Sequence, residues 1–313
     1  MKPSIYEVGL DKNEANHQPL SPLPFLERAA SVFPDHIAVV HGNTKLTYAQ
    51  FYRRCRQFAS VLVARGIGRG DTVSVMLANT PPMLEAHYAV PMCGAVLHAI
   101  NTRLDASVIA FQLEHGESKV LITDTAFSST IDVALEKTKA EPFVIDYSDP
   151  VFPQAGERLG SDDYEALVES GDPDFAWLMP NDEWDAIALN YTSGTTGDPK
   201  GVVYHHRGAC LIAQGNIITA SIAKHAVYLW TLPMFHCNGW CFPWTIAAVN
   251  GTQVCLREVR ADAIWASLAD NEVTLLCGAP VVMSALLSAS DEEKRTLPKP
   301  IDFFTAAAPP PEA

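Results

Sequence analysis

No run of ~18 uninterrupted apolar residues occurs in the chain, so no segment reads as a membrane-spanning helix. The longest candidate, Tyr88 to Ile100, is interrupted by Pro91, Gly94 and His98. Positive charge is scarce. Against 36 Asp and Glu there are only 22 Lys and Arg, a formal net charge of −14. Such a balance repels nucleic-acid and anionic-membrane surfaces and leaves room only for a local basic pocket around a phosphorylated ligand. No apolar core follows Lys2, so the N-terminus does not read as a secretory signal. Cysteines are few, odd in number and mostly set in apolar runs: Cys55, Cys93, Cys210, Cys237, Cys241, Cys255 and Cys277. That pattern predicts reduced thiols in a cytoplasmic protein, not a disulfide framework. The stretch HCNGWC brings His236, Cys237 and Cys241 together as three potential zinc ligands. With no second ligand pair nearby, small thiols beside a functional histidine are the better reading. Neither repeats nor low-complexity tracts occur.

What is present is ordinary globular composition, 48% hydrophobic and 19% charged over 313 residues, long enough for two or more subdomains. A helix is predicted over 24–32, then a hairpin of 37–41 and 45–47 around Gly42-Asn43. Thr47 then caps a long helix with Phe51, Phe58, Val61 and Leu62 on one side, ended by Gly66. Strands at 72–77, 96–100, 120–123 and 143–146 alternate with helices at 82–93, 107–115 and 127–138. The segment 147–183, rich in Asp, Gly and Pro, holds one short helix at 162–169 and is the expected boundary between two sheets. Further strands are predicted at 186–191, 227–232, 253–256, 274–277 and 301–305, with helices at 205–223, 261–270 and 280–288. Such alternation implies an α/β fold whose mostly parallel sheets are covered on both faces. The expected division is 1–180, a first βα subdomain with an N-terminal extension, and 181–313, a second βα subdomain. The chain stops just past a predicted strand without a polar tail, which reads as an interrupted protein.

The most informative stretch is Tyr191-Thr192-Ser193-Gly194-Thr195-Thr196-Gly197-Asp198-Pro199-Lys200-Gly201-Val202. It follows an apolar strand and leads through a short Gly-Val-Val turn toward a helix. Gly194 and Gly197 let backbone N–H groups converge on an anion with no Cβ in the way. The hydroxyls of Thr192, Ser193, Thr195 and Thr196 add donors, and Lys200 adds a point charge for a pyrophosphate. The order excludes a Walker loop, since Lys200 is followed by Gly201 and not by Ser or Thr.

YTSGTTGDPKGV resembles the phosphate-loop signature of the adenylate-forming superfamily, which includes acyl-CoA synthetases, peptide-synthetase adenylation domains and luciferases. Leu232-Pro233-Met234-Phe235-His236-Cys237-Asn238-Gly239-Trp240 is similar to the second core motif of its fatty-acyl and aryl ligases, and HCNGWCFPW to fatty-acyl and methylmercaptopropionate-type ligases. Ala306-Ala307-Ala308-Pro309 resembles the Gly-Ala-Pro turn of the adenine site, with Ala307 in place of glycine. The resemblance implies the two stacked βα subdomains of the large N-terminal domain. It implies ATP, Mg²⁺ and CoA as reaction partners of a small carboxylic acid, with Thr192 ligating Mg²⁺ and Ser193 to Lys200 holding the phosphates. Lys200 and His236 would act in catalysis, and Cys237 and Ala306 to Pro309 would border the nucleotide. Trp240 would gate an acyl tunnel lined by Trp230, Phe235 and Trp244, for a fatty or thioether acid. The family's Tyr-Gly-x-Thr-Glu strand, Thr-Gly-Asp and small C-terminal domain have no counterpart here, so this piece alone is expected to be inactive. A non-catalytic nucleotide- or acyl-binding fragment, an adenylation domain serving a carrier protein, and a homodimer stay open.

Overall fold

Thr47 begins the first long helix as its neighbours predict. Its hydroxyl accepts from the Gln50 backbone while the Gln50 side chain accepts from the Thr47 N–H, a reciprocal capping box. In the computed structural model, which describes residues 4–152, 156–192 and 199–306, this helix lies between two sheets.

In chain order, helix α1 (Leu23–Val32) leads into the hairpin β1 (Ile37–His41) and β2 (Thr44–Thr47), and α2 spans Tyr48–Ala64. Then come β3 (Thr72–Met76), α3 (Pro81–Met92), β4 (Val96–Ala99), α4 (Ala106–His115), β5 (Ser118–Asp124), α5 (Ser128–Lys137) and β6 (Phe143–Tyr147). A two-residue β7 (Asp162–Asp163) and α6 (Tyr164–Ser170) precede β8 (Ala186–Tyr191), β9 (Gly201–His205), α7 (His206–Thr219) and β10 (Val227–Trp230). One irregular turn, α8 (Cys237–Trp240), is followed by α9 (Phe242–Ala248), β11 (Thr252–Cys255), α10 (Ala261–Asp270), β12 (Leu275–Cys277), α11 (Pro280–Leu287) and β13 (Asp302–Phe304).

The strands form two sheets, β13-β12-β10-β11-β1-β2 and β7-β6-β5-β3-β4-β8-β9, each parallel except for one hairpin at an edge. Sequence order hides this arrangement. The N-terminal hairpin joins the sheet built from the second half of the chain, while β8 and β9 join the sheet of the first half. Division at residue 180 therefore does not coincide with the division between sheets, because 147–183 connects two strands of the same sheet. A second correction concerns Gly201-Val202-Val203. The expected turn is strand β9, which pairs antiparallel with β8, so the helix starts at His206 and not at 205.

Five layers result. The central core joins the inner faces of both sheets to α2, α3 and α9 through Phe51, Phe58, Tyr88, Trp230 and Trp244. Every residue of α3 is buried, as a helix enclosed on all sides requires. Ile264, Leu268 and Val282 of α10 and α11 cover the outer face of one sheet, and Ile109, Leu113 and Ile131 of α4 and α5 cover that of the other. A buried polar clamp ties the sheets together at their strand ends. Arg257, beyond β11, donates to Asp124 and Asp149, and Asp149 also bonds His41 of β1 at 3.0 Å.

Candidate active site

The Tyr191–Val202 motif spans the connection of the β8–β9 hairpin. Tyr191 pairs with Gly201, and beyond it the Thr192 N–H donates to the Lys200 carbonyl at 3.0 Å while the Lys200 N–H donates to Thr192 Oγ1 at 3.2 Å. Two bonds thus close the neck of the loop between the motif's first hydroxyl and its lysine. Ser193, Gly194, Thr195, Thr196 and Gly197 lie outside the described residues. Tyr191 is fixed by its hydroxyl, 2.8 Å from His115 Nδ1. Its ring lies 5.1 Å from that of His98, which is buried and bonded to Ser74 Oγ at 2.8 Å. Burial pushes His98 down to about 4, so it is neutral at physiological pH.

The opposite wall comes from the segment after β10. Asn79, between β3 and α3, holds it with three bonds: Nδ2 donates to the Trp230 and Leu232 carbonyls at 2.8 and 3.0 Å, and Oδ1 accepts from the Met234 N–H at 2.9 Å. The chain then makes a left-handed turn. Cys237, Asn238, Gly239, Trp240 and Cys241 all have φ between 43° and 64°. Left-handed backbone costs roughly 1–2 kcal/mol for each residue other than glycine, so the surrounding bonds must impose it. Asn216 of α7 donates to the Trp240 carbonyl at 2.9 Å and to Thr245 Oγ1 at 3.1 Å, tying the turn to α9. Glycine is required at 239, where a Cβ would sit 2.7 and 2.8 Å from carbons of the Trp230 ring. Gly239→Ala should lower stability by about 2–4 kcal/mol through overpacking and backbone strain. Thermal melting checks this, and an unchanged melting temperature would mean that the turn is not rigidly held.

Two cavities meet between these walls. One, of about 560 Å³, is bordered by Asn190, Thr192, Tyr204, Phe235, His236 and Cys237. The second, of about 480 Å³, lies between β9, α7 and the turn, and Tyr204, Ile212, Asn216, Cys237, Trp240 and Cys241 line it. Tyr204 and Cys237 belong to both and mark the waist between them. Burial, followed by the nearby Cys237 and Cys241 thiols, pushes the Tyr204 phenol up to about 12, so it remains protonated.

The structure thus gathers Thr192, Phe235, His236 and Cys237 around the first cavity, and Cys237 and Trp240 around the second. Lys200 is exposed at the loop neck, and Ala306 is exposed just past β13. Ala307, Ala308 and Pro309 lie outside the described residues. Trp230 and Trp244 depart from expectation and line neither cavity. Both are fully buried, with indole N–H groups donating to Gln253 Oε1 at 3.1 Å and the His87 carbonyl at 3.2 Å. Phe242 to Ala247 are buried with them and belong to the core. Asn79, Asn190, Tyr204 and Asn216 were missed by sequence reasoning. An asparagine between a strand and a helix carries no signal beyond a turn, and Tyr204 hides in a strand that the pattern does not reveal.

Among the described residues no group of three or more His, Cys, Asp or Glu could hold a metal ion. Thr192 Oγ1 keeps a lone pair beyond its bond from Lys200, which suits a Mg²⁺ whose remaining ligands are phosphate oxygens and waters.

A family model described as "AMP-binding enzyme" matches residues 26–313. The chain belongs to this family. The peroxisomal acetate/butyrate–CoA ligase of Arabidopsis thaliana is 46% identical over 314 residues, covering 96% of this chain and 55% of the relative. The acetate–CoA ligase of Humulus lupulus is 45% identical with the same coverage. The chain spans about half the length of these curated relatives. Among solved structures, the inhibitor-bound N-terminal domain of FACL13 from Mycobacterium tuberculosis superposes with a TM-score of 0.82 at 27% identity, over 94% of this chain and 71% of that one. As an AMP-binding family member the chain combines two mostly parallel sheets, with the Tyr191–Val202 motif in a hairpin at the edge of one of them.

Proposed function

We propose that this chain is the N-terminal part of an AMP-forming acid–CoA ligase. The reading rests chiefly on the closed Thr192–Lys200 neck, which opens on the same cavity as His236 and Cys237. In the first half-reaction a carboxylate oxygen attacks the α-phosphorus of ATP, the bond to the bridging oxygen breaks and pyrophosphate leaves. In the second, the sulfur of CoA attacks the acyl carbon, AMP leaves and the thiol proton passes to solvent. Neither step needs a protein nucleophile, so the chain contributes alignment and charge stabilisation. Lys200 meets the departing pyrophosphate, Thr192 fixes the neck, and His236 borders the carboxylate. Bound Mg²⁺ would neutralise phosphate charge beside Thr192.

The second cavity receives the acyl chain, with Trp240 across its wall. Because Trp230, Trp244 and the 242–247 run are core, this space suits a short or medium aliphatic acid or a thioether acid of similar size. The acetate/butyrate ligase among the relatives supports the short end of that range. Seven free cysteines fit a reducing compartment, cytoplasmic or, as for that relative, peroxisomal. The test is AMP formation by the full-length protein on acids from acetate to palmitate, with 3-methylthiopropanoate included. The expected kcat/KM peaks among the short acids and falls steeply beyond the medium ones. A maximum at palmitate would overturn the chain-length reading.

A further inference from the structure

Asn190 is a buried polar group of this site that the two half-reactions leave unused. It lies on β8 and borders the 560 Å³ cavity. Only 8% of it is exposed, yet neither Nδ2 nor Oδ1 has a hydrogen-bond partner among the described residues. A buried amide with both ends unpaired is costly, and native proteins satisfy such groups almost always. One satisfied only when a ligand enters is a recognition group.

The position narrows the ligand. Asn190 stands two residues before Thr192, about 6–7 Å away along the extended chain. If Thr192 marks the phosphate side, that step is the reach from a β-phosphate, across the α-phosphate, to the acyl carbon. Asn190 also shares the cavity with Tyr204 and Cys237, the waist that leads to the acyl space. We propose that Asn190 is a positioning residue for the acyl carboxyl group, its Nδ2 donating to the carbonyl oxygen of the acyl-adenylate and its Oδ1 accepting from a water. The inference rests on the ligase reading and adds to it the protein group that addresses the reacting carboxyl.

The test uses calorimetric titration of the chain with two probes. One is 5′-O-(N-butanoylsulfamoyl)adenosine, which carries the acyl carbonyl, and the other is 5′-O-sulfamoyladenosine, which lacks it. Asn190→Leu should weaken the acylated probe roughly ten- to a hundredfold, as loss of one ligand hydrogen bond from a buried site does. The bare probe should stay within about twofold. Since leucine removes an unsatisfied amide, keeps the branch at Cγ and has the cavity to take its extra bulk, the melting temperature should hold or rise, on the order of 2 °C. Asn190→Asp, which replaces the donor with negative charge, should show the same selective loss. Equal affinity of variant and parent for the acylated probe would overturn the proposal. So would equal weakening of both probes together with a lower melting temperature, the mark of a structural residue. A ligand-free crystal structure in which Asn190 bonds Asn238, whose buried amide is also unpaired, would overturn it as well. Failure of the parent chain to bind either probe is a different result and strikes the ligase reading itself.

Discussion

Lys200→Ala in the full-length protein should slow adenylation by roughly 30- to 1000-fold and raise the Mg·ATP requirement, a loss of about 2–4 kcal/mol for one charged donor at a transferring phosphoryl group. The structure makes this a clean substitution. The bonds that close the loop neck, Thr192 N to the Lys200 carbonyl and Lys200 N to Thr192 Oγ1, use the Lys200 backbone and not its ammonium. Alanine keeps both, so the melting temperature should match the parent and the loss should fall on the nucleotide. Thr192→Val is the counterpart. It removes the hydroxyl that accepts from the Lys200 N–H, loosens the neck and should change the Mg²⁺ dependence as well as the rate. Unchanged ATP kinetics in both variants would remove the hairpin from the reaction.

The second large effect is acid sensitivity of the fold. His87, His98 and His206 are all pushed down to about 4, chiefly by burial. His87 Nδ1 donates to the Met83 carbonyl at 2.7 Å and its Nε2 has no partner, while His206 pairs with Ser21 at 3.0 Å. The unfolded chain takes up protons near the ordinary histidine value of 6.5, which the folded chain refuses until about 4. This contribution to stability is thus complete above about 6.5 and drains away as pH falls from there to about 4. Each histidine gives up on the order of 1 kcal/mol per pH unit within that window. Together they lose an amount comparable to the whole stability of an ordinary domain. Melting curves should therefore drop steeply across this range, and His206→Gln should flatten part of the slope. A flat profile between these limits would show that the three imidazoles are not buried neutral.

Periodicity and caps revealed most individual elements. Thr47 capped α2 as expected, and the apolar runs at 72–77 and 120–123 became the central strands β3 and β5. Sheet membership was not legible, because it depends on which long-range pairings bury most apolar surface and not on neighbours in sequence. The hairpin β1–β2 crosses to the other sheet for that reason. Strand β9 escaped notice since an exposed edge strand needs no alternating pattern. At the site, Thr192, His236 and Cys237 border one cavity although some forty residues separate the first from the other two. Which tryptophans line the cavity was beyond reach of the sequence. Trp230, Trp240 and Trp244 are chemically alike, and only the left-handed turn at 237–241 separates the one at the cavity from the two in the core. Asn79 and Asn190 were invisible for a related reason. Their roles lie in three bonds and in none, respectively, and both counts belong to the tertiary fold.

The most direct test follows the oxygen atoms. Full-length protein is supplied with ATP, Mg²⁺, CoA and butanoate labelled with heavy oxygen in its carboxyl group, and the nucleotide product is analysed by mass spectrometry. Attack of the carboxylate on the α-phosphorus predicts AMP carrying one heavy oxygen, formed in step with butanoyl-CoA. Unlabelled AMP, or ADP as the product, would contradict the account.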